Sequence, residues 1–244
     1  SQGIENTNYF VDTTESRFVL TIFEQHSFEE MQYFLNLMHH LADLGVPSAN
    51  PVADRNGAYL RMFMDKPAAL VERLNGKSIT VTSVEHCAQI GTAMGKLHTA
   101  GMSFATHRDN PRGAAWRAAT AHKVSSKIPA ADQQSLASEV SYENGYDELG
   151  LPAGVVHADL FRDNALWDGD RLSGLIDFYY ACDDYLLYDL AVTVNDWCCL
   201  PDYSLDRDKT VALLQHYHAF RPFVPGEQEH WPDMLRAGAM RFWL

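Results

Sequence analysis

Asp159 and Asn164 stand five residues apart, and Asp177 follows Asn164 by thirteen. These three side chains are of the kinds that activate a hydroxyl and hold a hard cation. A carboxylate at Asp159 can orient a hydroxyl nucleophile and accept its proton. The amide oxygen of Asn164 and the carboxylate of Asp177 are hard oxygen donors. They suit Mg2+, which takes one or two protein carboxylates and completes its shell with water and phosphate oxygens. So sparse a donor set fits a metal–nucleotide complex. Asp and Asn are also ordinary turn residues, and the spacing alone is weak. The flanking pattern adds weight. Apolar Val155-Val156 leads into His157-Ala158-Asp159, and Ala165-Leu166-Trp167 follows Asn164. A turn and the apolar run Leu172 to Ile176 then end at Asp177. His157 reads as a brace for the loop, because Asp159 already serves as acceptor.

Placing these groups requires short strands around the loop. Gly154–Val156, Ala165–Trp167 and Leu172–Phe178 have that character, with Asp168-Gly169-Asp170 as a turn. Nearer the start, Asn8–Val11 and Arg17–Phe23 flank Asp12–Ser16 and predict a hairpin. Ser27 with Glu30 forms a capping box for a helix carrying Phe28, Met31, Phe34, Leu35, Met38 and Leu41. Gly57–Met64 reads as a further strand. After Pro67 the character changes. Helices are expected over Val84–His98, Asn110–Ala121, Leu186–Trp197 and most of Val211–Leu244, with a weakly patterned helical stretch at 122–150. The expectation is a small β-rich lobe joined near residues 64–68 to a larger helical lobe, with a ligand cleft between them. The boundaries are 1–64 and 65–244. Gly3 to Asn8 has loop chemistry with no strand before it, and Met234 to Leu244 ends inside an apolar helical pattern. A natural chain longer at both ends is therefore expected.

The 244 residues carry 19 Lys and Arg against 32 Asp and Glu, a net charge of −13. Such a chain is repelled by nucleic acid and by anionic membrane, and neither is expected as a partner. The four cysteines, Cys87, Cys182, Cys198 and Cys199, include no C-x-x-C pair and suggest neither a disulfide framework nor a zinc site. They suit a reducing compartment. With no bilayer-length apolar run and no signal-like start, a cytoplasmic location is expected.

The loop His157-Ala158-Asp159-Leu160-Phe161-Arg162-Asp163-Asn164, followed by a strand pair ending at Asp177, resembles the H-x-D-x4-N signature of aminoglycoside phosphotransferases and choline kinases. These form a branch of the protein-kinase-like superfamily. Within that branch the chain is most similar to the bacterial homoserine kinases. Gly3–Phe10, Phe18–Glu24, Leu190–Trp197 and Trp231–Arg236 share in that likeness, which spans nearly the whole chain. The resemblance implies an α+β, two-lobed protein-kinase-like fold, with a small antiparallel-sheet N-lobe and a larger, mostly helical C-lobe. It also implies transfer of the γ-phosphoryl group of ATP, with Mg2+, to the hydroxyl of L-homoserine, giving O-phospho-L-homoserine for threonine biosynthesis. Residues 1–64 would bind the nucleotide, and 65–244 would carry catalysis and substrate. Asp159 would be the catalytic base, and Asn164 and Asp177 the metal ligands. Gly3, Asn6, Thr7 and Asn8 would cover the triphosphate with backbone N–H groups. Met62 and Met64 would lie in the hinge beside adenine. Asp189 would brace the catalytic loop.

The amino-acid substrate asks for an acceptor for its ammonium and donors for its carboxylate. Asp196 could pair with the ammonium, Asn195 and Arg162 could hold the carboxylate, and Trp197 could either wall the pocket or anchor the core. Cys182-Asp183-Asp184 reads as a solvated loop or a second metal site, and His39-His40 as structural. One departure stands out: Thr21 occupies the position where many kinases place a phosphate-pairing Lys or Arg, and Arg17 and Arg61 are candidates to replace it. Alternative readings are a kinase of another hydroxyl compound (choline, an aminoglycoside or a sugar) and a nucleotide-binding scaffold without turnover.

Overall fold

The structure is a computed structural model that describes residues 6–143 and 145–244, with the backbone alone at Asp147. Gly3 lies outside the described residues. The chain divides into two compact units. One contains the described residues up to Val81 together with Ser103–Thr106 and Arg162–Tyr179. The other contains Thr82–Met102, His107–Phe161 and Tyr180–Leu244.

The first unit is built on an antiparallel sheet. Strands β1 (Asn6–Asp12) and β2 (Arg17–Phe23) form the expected hairpin, closed by Thr13 and Ser16. Helix α1 (Phe28–Asp43) starts at the expected capping box. Glu30 N–H donates to Ser27 Oγ at 3.2 Å, and Ser27 N–H donates to Glu30 Oε2 at 3.1 Å. It buries Met31, Phe34, Leu35, Met38 and Leu41. His39 is bonded to Asn50 and His40 to Ser103, a structural use of the doublet.

Strand β3 (Leu60–Phe63) is followed by β4 (Lys66–Glu72), and the sheet order is β1-β2-β4-β3. The sequence reading missed β4 because Pro67 looked like a break. Pro67 is tolerated because β2 pairing begins only at Ala68, so its missing N–H takes nothing from the β2 ladder. The boundary expected between 64 and 65 therefore falls in the β3–β4 turn, and the chain leaves the sheet only after Glu72.

The same unit holds the hairpin of β6 (Ala165–Asp168) and β7 (Arg171–Leu175), turned at Gly169 as expected. β7 stops at Leu175 rather than running to Phe178, because Asp177 takes a left-handed conformation (φ +64°) and Phe178–Tyr180 forms a 3-10 turn. The hairpin is tied to its unit by backbone bonds. Lys77 and Trp167 exchange N–H and carbonyl bonds at 3.1 and 2.9 Å, and Leu175 N–H donates to Pro47 O at 2.7 Å. Gly76 (φ +92°) makes this approach possible, since a Cβ there would sit 2.1 Å from Trp167 O.

The second unit is mostly helical. α2 (Val84–Gly101) packs on α6 (Arg207–His218) so closely that a Cβ on Gly91 would lie 2.1 Å from Leu213 O. α3 (Ala114–Ser125) and α4 (Ala130–Tyr142) fill the weakly patterned region. β5 (Ala153–Val156) pairs with β8 (Cys182–Tyr185), and α5 (Leu186–Trp197) packs against α7 (Trp231–Trp243). Residues 219–230 are not helical, contrary to expectation. No described helix is long and apolar enough to cross a membrane.

Candidate active site

The Asp159 loop leaves β5 through a strained residue. Ala158 has φ +62°, a conformation that side chains other than glycine's disfavour. Asp189, in the first turn of α5 and wholly buried, holds this bend. It accepts from His157 N–H at 2.8 Å and from Ala158 N–H at 2.7 Å. Its third partner is His98 of α2, whose Nε2 lies 3.0 Å from Asp189 Oδ2 while Nδ1 lies 2.8 Å from the Tyr217 hydroxyl. A carboxylate only accepts, so His98 donates from Nε2. Burial pushes the Asp189 carboxyl up. The hydrogen bond and charge of His98, with those of His157, outweigh burial and hold it below the usual carboxylate range.

Two further side chains set the loop. The Trp197 indole N–H donates to Leu160 O at 2.9 Å, and Trp197 O accepts from Thr82 Oγ1 at 2.8 Å. Trp197 is 0% exposed, so it is a core anchor and not a pocket wall. Arg241 of α7 donates to Ala158 O and lies 3.4 Å from Asp159 Oδ1. Asn195 spends an amide N–H on Leu235 O at 2.8 Å, which ties α5 to α7. Asp196 lies beside it in the last turn of α5, half-buried.

The other candidate group lies in the first unit. Asn164 precedes β6 and Asp177 follows β7 by two residues. Ile176 N–H donates to Asn164 O at 3.0 Å, so one end of the hairpin carries both. Arg162 bonds Thr80 O at 2.9 Å. Tyr179 packs edge-on against Phe23 and Phe34. Burial and then the Asp177 charge push its phenol above the ordinary range, against a hydrogen bond with Thr21. Thr21 is buried and donates to Asn8 Oδ1 at 2.7 Å.

Several expectations are corrected. Asn6, Thr7 and Asn8 are not in a loop but in β1, paired with Phe23, Ile22 and Thr21. Met62 and Met64 lie at the β3–β4 hairpin, not in a connector out of the sheet. Arg61 is engaged by Asp54 and Arg17 by Asn75. Cys182-Asp183-Asp184 is neither a solvated loop nor a metal site but strand β8, whose alternation sends the two carboxylates to opposite faces. Asp183 accepts from Arg108 N–H at 2.9 Å. Asp184 is held by Asn110, Tyr185 N–H and Tyr146, with burial raising its carboxyl. Among the described residues no three His, Cys, Asp or Glu side chains cluster as a metal site.

His98 and Arg241 were missed from the sequence. Each had a signal. His98 lies four residues after Met94 and Arg241 seven after Met234, both on otherwise apolar helix faces.

The profile of the phosphotransferase enzyme family matches residues 1–223, and the chain belongs to that family. It is 50% identical to a homoserine kinase of Methylobacillus flagellatus over 244 residues, all of this chain and 76% of that protein. It is 46% identical to a homoserine kinase of Methylobacillus glycogenes, over all of this chain and 77% of that protein. An amicoumacin kinase solved with AMP-PNP and Ca2+ superposes with a TM-score of 0.76 at 17% identity, covering all of this chain and 78% of that one. That likeness shows the fold, which is α+β and protein-kinase-like as expected.

Proposed function

We propose that the chain transfers the γ-phosphoryl group of ATP to the hydroxyl of L-homoserine, forming O-phospho-L-homoserine for threonine biosynthesis in the cytoplasm. The observation that carries this reading is the 50% identity, across the whole chain, to a protein named homoserine kinase. In this reading Asp159 accepts the hydroxyl proton and aims the oxygen. Positioning contributes more than proton removal, because phosphoryl transfer runs through a loose transition state.

Asn164 and Asp177 fit Mg2+. They offer one amide and one carboxylate oxygen from the same end of a hairpin, a set that leaves room for phosphate oxygens. Bound there, the ion would neutralise charge on the transferred group. Thr21, which donates to Asn8 across β1 and β2, is a neutral polar group at the position where many kinases carry a cation. Asp196 and Asn195 of α5 and Arg162 are proposed as contacts for the ammonium and carboxylate of the acceptor.

The test is ADP release with ATP, Mg2+ and a panel of acceptors. Release dependent on L-homoserine, absent with choline, ethanolamine or an aminoglycoside, supports the proposal. Release with another acceptor moves the substrate. Nucleotide binding with no release under any acceptor would identify a scaffold.

A further inference from the structure

Helix α7 carries a cation on its buried face. Arg241 falls seven residues after Met234 and four after Ala237, both buried, and its own side chain is 5% exposed. A guanidinium so placed must be met by oxygens or aromatic faces. Arg241 has both. It donates to Ala158 O, pairs with Asp159 at 3.4 Å, and lies 5.2 Å from the Tyr180 ring centroid and 4.6 Å from that of Phe242. The peptides on either side of Ala158 are therefore gripped from two directions. Asp189 takes the N–H of Ala158, and Arg241 takes its carbonyl. This grip holds a residue at φ +62° that would otherwise relax.

We propose that Arg241 is a positioning residue for phosphoryl transfer, fixing the Ala158 carbonyl and the Asp159 carboxylate together so that Asp159 meets the acceptor hydroxyl. This rests on the reading of Asp159 as the proton acceptor. The planar guanidinium fork holds two acceptors at a set angle, which a lysine ammonium does not reproduce. Without Arg241 the Ala158 carbonyl loses its guanidinium donor, while the Asp189 hold on the N–H remains. All the partners of this grip belong to the second unit, so KM for ATP is the control that separates it from nucleotide binding.

The test compares wild type, Arg241→Met, Arg241→Lys and Arg236→Ala. Arg236→Ala removes another ion pair of α7, the half-buried one with Glu139 at 2.8 Å. The readouts are turnover with ATP, Mg2+ and L-homoserine, melting temperature, and hydrogen–deuterium exchange of peptides covering residues 155–161. In Arg241→Met, exchange in that segment should rise and kcat should fall on the order of 10²-fold, as a misplaced catalytic group does. KM for ATP should hold. Arg241→Lys should recover part of kcat, and Arg236→Ala should keep it. Wild-type kcat or unchanged exchange in Arg241→Met would overturn the inference, as would an equal loss in Arg236→Ala. Should Arg241→Met melt far below wild type, Arg241→Lys decides: reduced kcat at a wild-type melting temperature supports the inference, and full kcat overturns it. A wild type that turns over no homoserine would remove both the function and this role, a result distinct from active variants.

Discussion

The Asp159 loop and the Asn164–Asp177 hairpin are held by different means. Around the loop the grip is made by side chains from distant helices: His98 on α2, Asp189 and Trp197 on α5, and Arg241 on α7. The hairpin is placed by main-chain bonds to 47 and 77 and by its own ladder. The strain differs accordingly. Ala158 is bent within a buried polar network that any one side-chain deletion breaks. Asp177 is bent at the open end of a ladder placed by main-chain bonds. A loop built the first way is exact and fragile. A hairpin built the second way tolerates side-chain change but not intrusion on its backbone.

That contrast can be broken in order of size. Asp159→Asn should lower kcat by roughly 10²–10⁴ while leaving nucleotide affinity nearly intact. Steady-state kinetics beside a nucleotide titration checks it, and unchanged turnover would remove Asp159 from the chemistry. Asp189→Asn should cost about 3–5 kcal/mol in urea unfolding, because it unbalances a buried charge-assisted network. Asp189 titrates lower in the folded chain than in the unfolded one. Its contribution is therefore complete above an unfolded pKa of ~3.9 and is lost as pH falls through the lower folded value. The variant should show a flatter stability curve below about pH 4.

Asp177→Ala should weaken Mg2+-dependent nucleotide binding by at least the roughly 10- to 100-fold seen when a metal site loses a supporting partner. Calorimetric titration with and without Mg2+ measures this, and an unaltered curve refutes the assignment. Gly76→Ala should lower stability by about 1–3 kcal/mol from the forced φ +92° alone, with the clash against Trp167 O added to it. Its stability loss should appear without a change in the exchange of residues 155–161. If those peptides exchange faster, the two regions are not independently held.

The same contrast governs what could be read from the sequence. The hairpin end is local. An apolar run, a D-G-D turn and a second apolar run lie within fourteen residues from Asn164 to Asp177, so the order of groups was legible. The capping box of α1 was legible for the same reason. The grip on the loop was not, because His98, Asp189 and Arg241 are separated by 91 and 52 residues and meet only through helix packing. Family resemblance points to Asp189, whereas His98 and Arg241 carry only their place on apolar helix faces. β8 was hidden by its charges, whose partners on Asn110 and Arg108 lie over seventy residues away. Met62 and Met64 were misplaced because the missed β4 moved the exit from the sheet by eight residues.

The contact between Arg241 and Ala158 also sets an order in time. Residues 157–159 leave the ribosome some eighty positions before Arg241, which is 82 residues beyond Asp159. Domains assemble as the chain emerges. The strand, the loop and α5 can therefore gather while α7 is still being made, before the Ala158 carbonyl has its Arg241 donor. Docking of α7 on α5 is the event that brings Arg241 to Ala158 and Asp159, so a nascent or partly unfolded chain without that docking lacks both contacts.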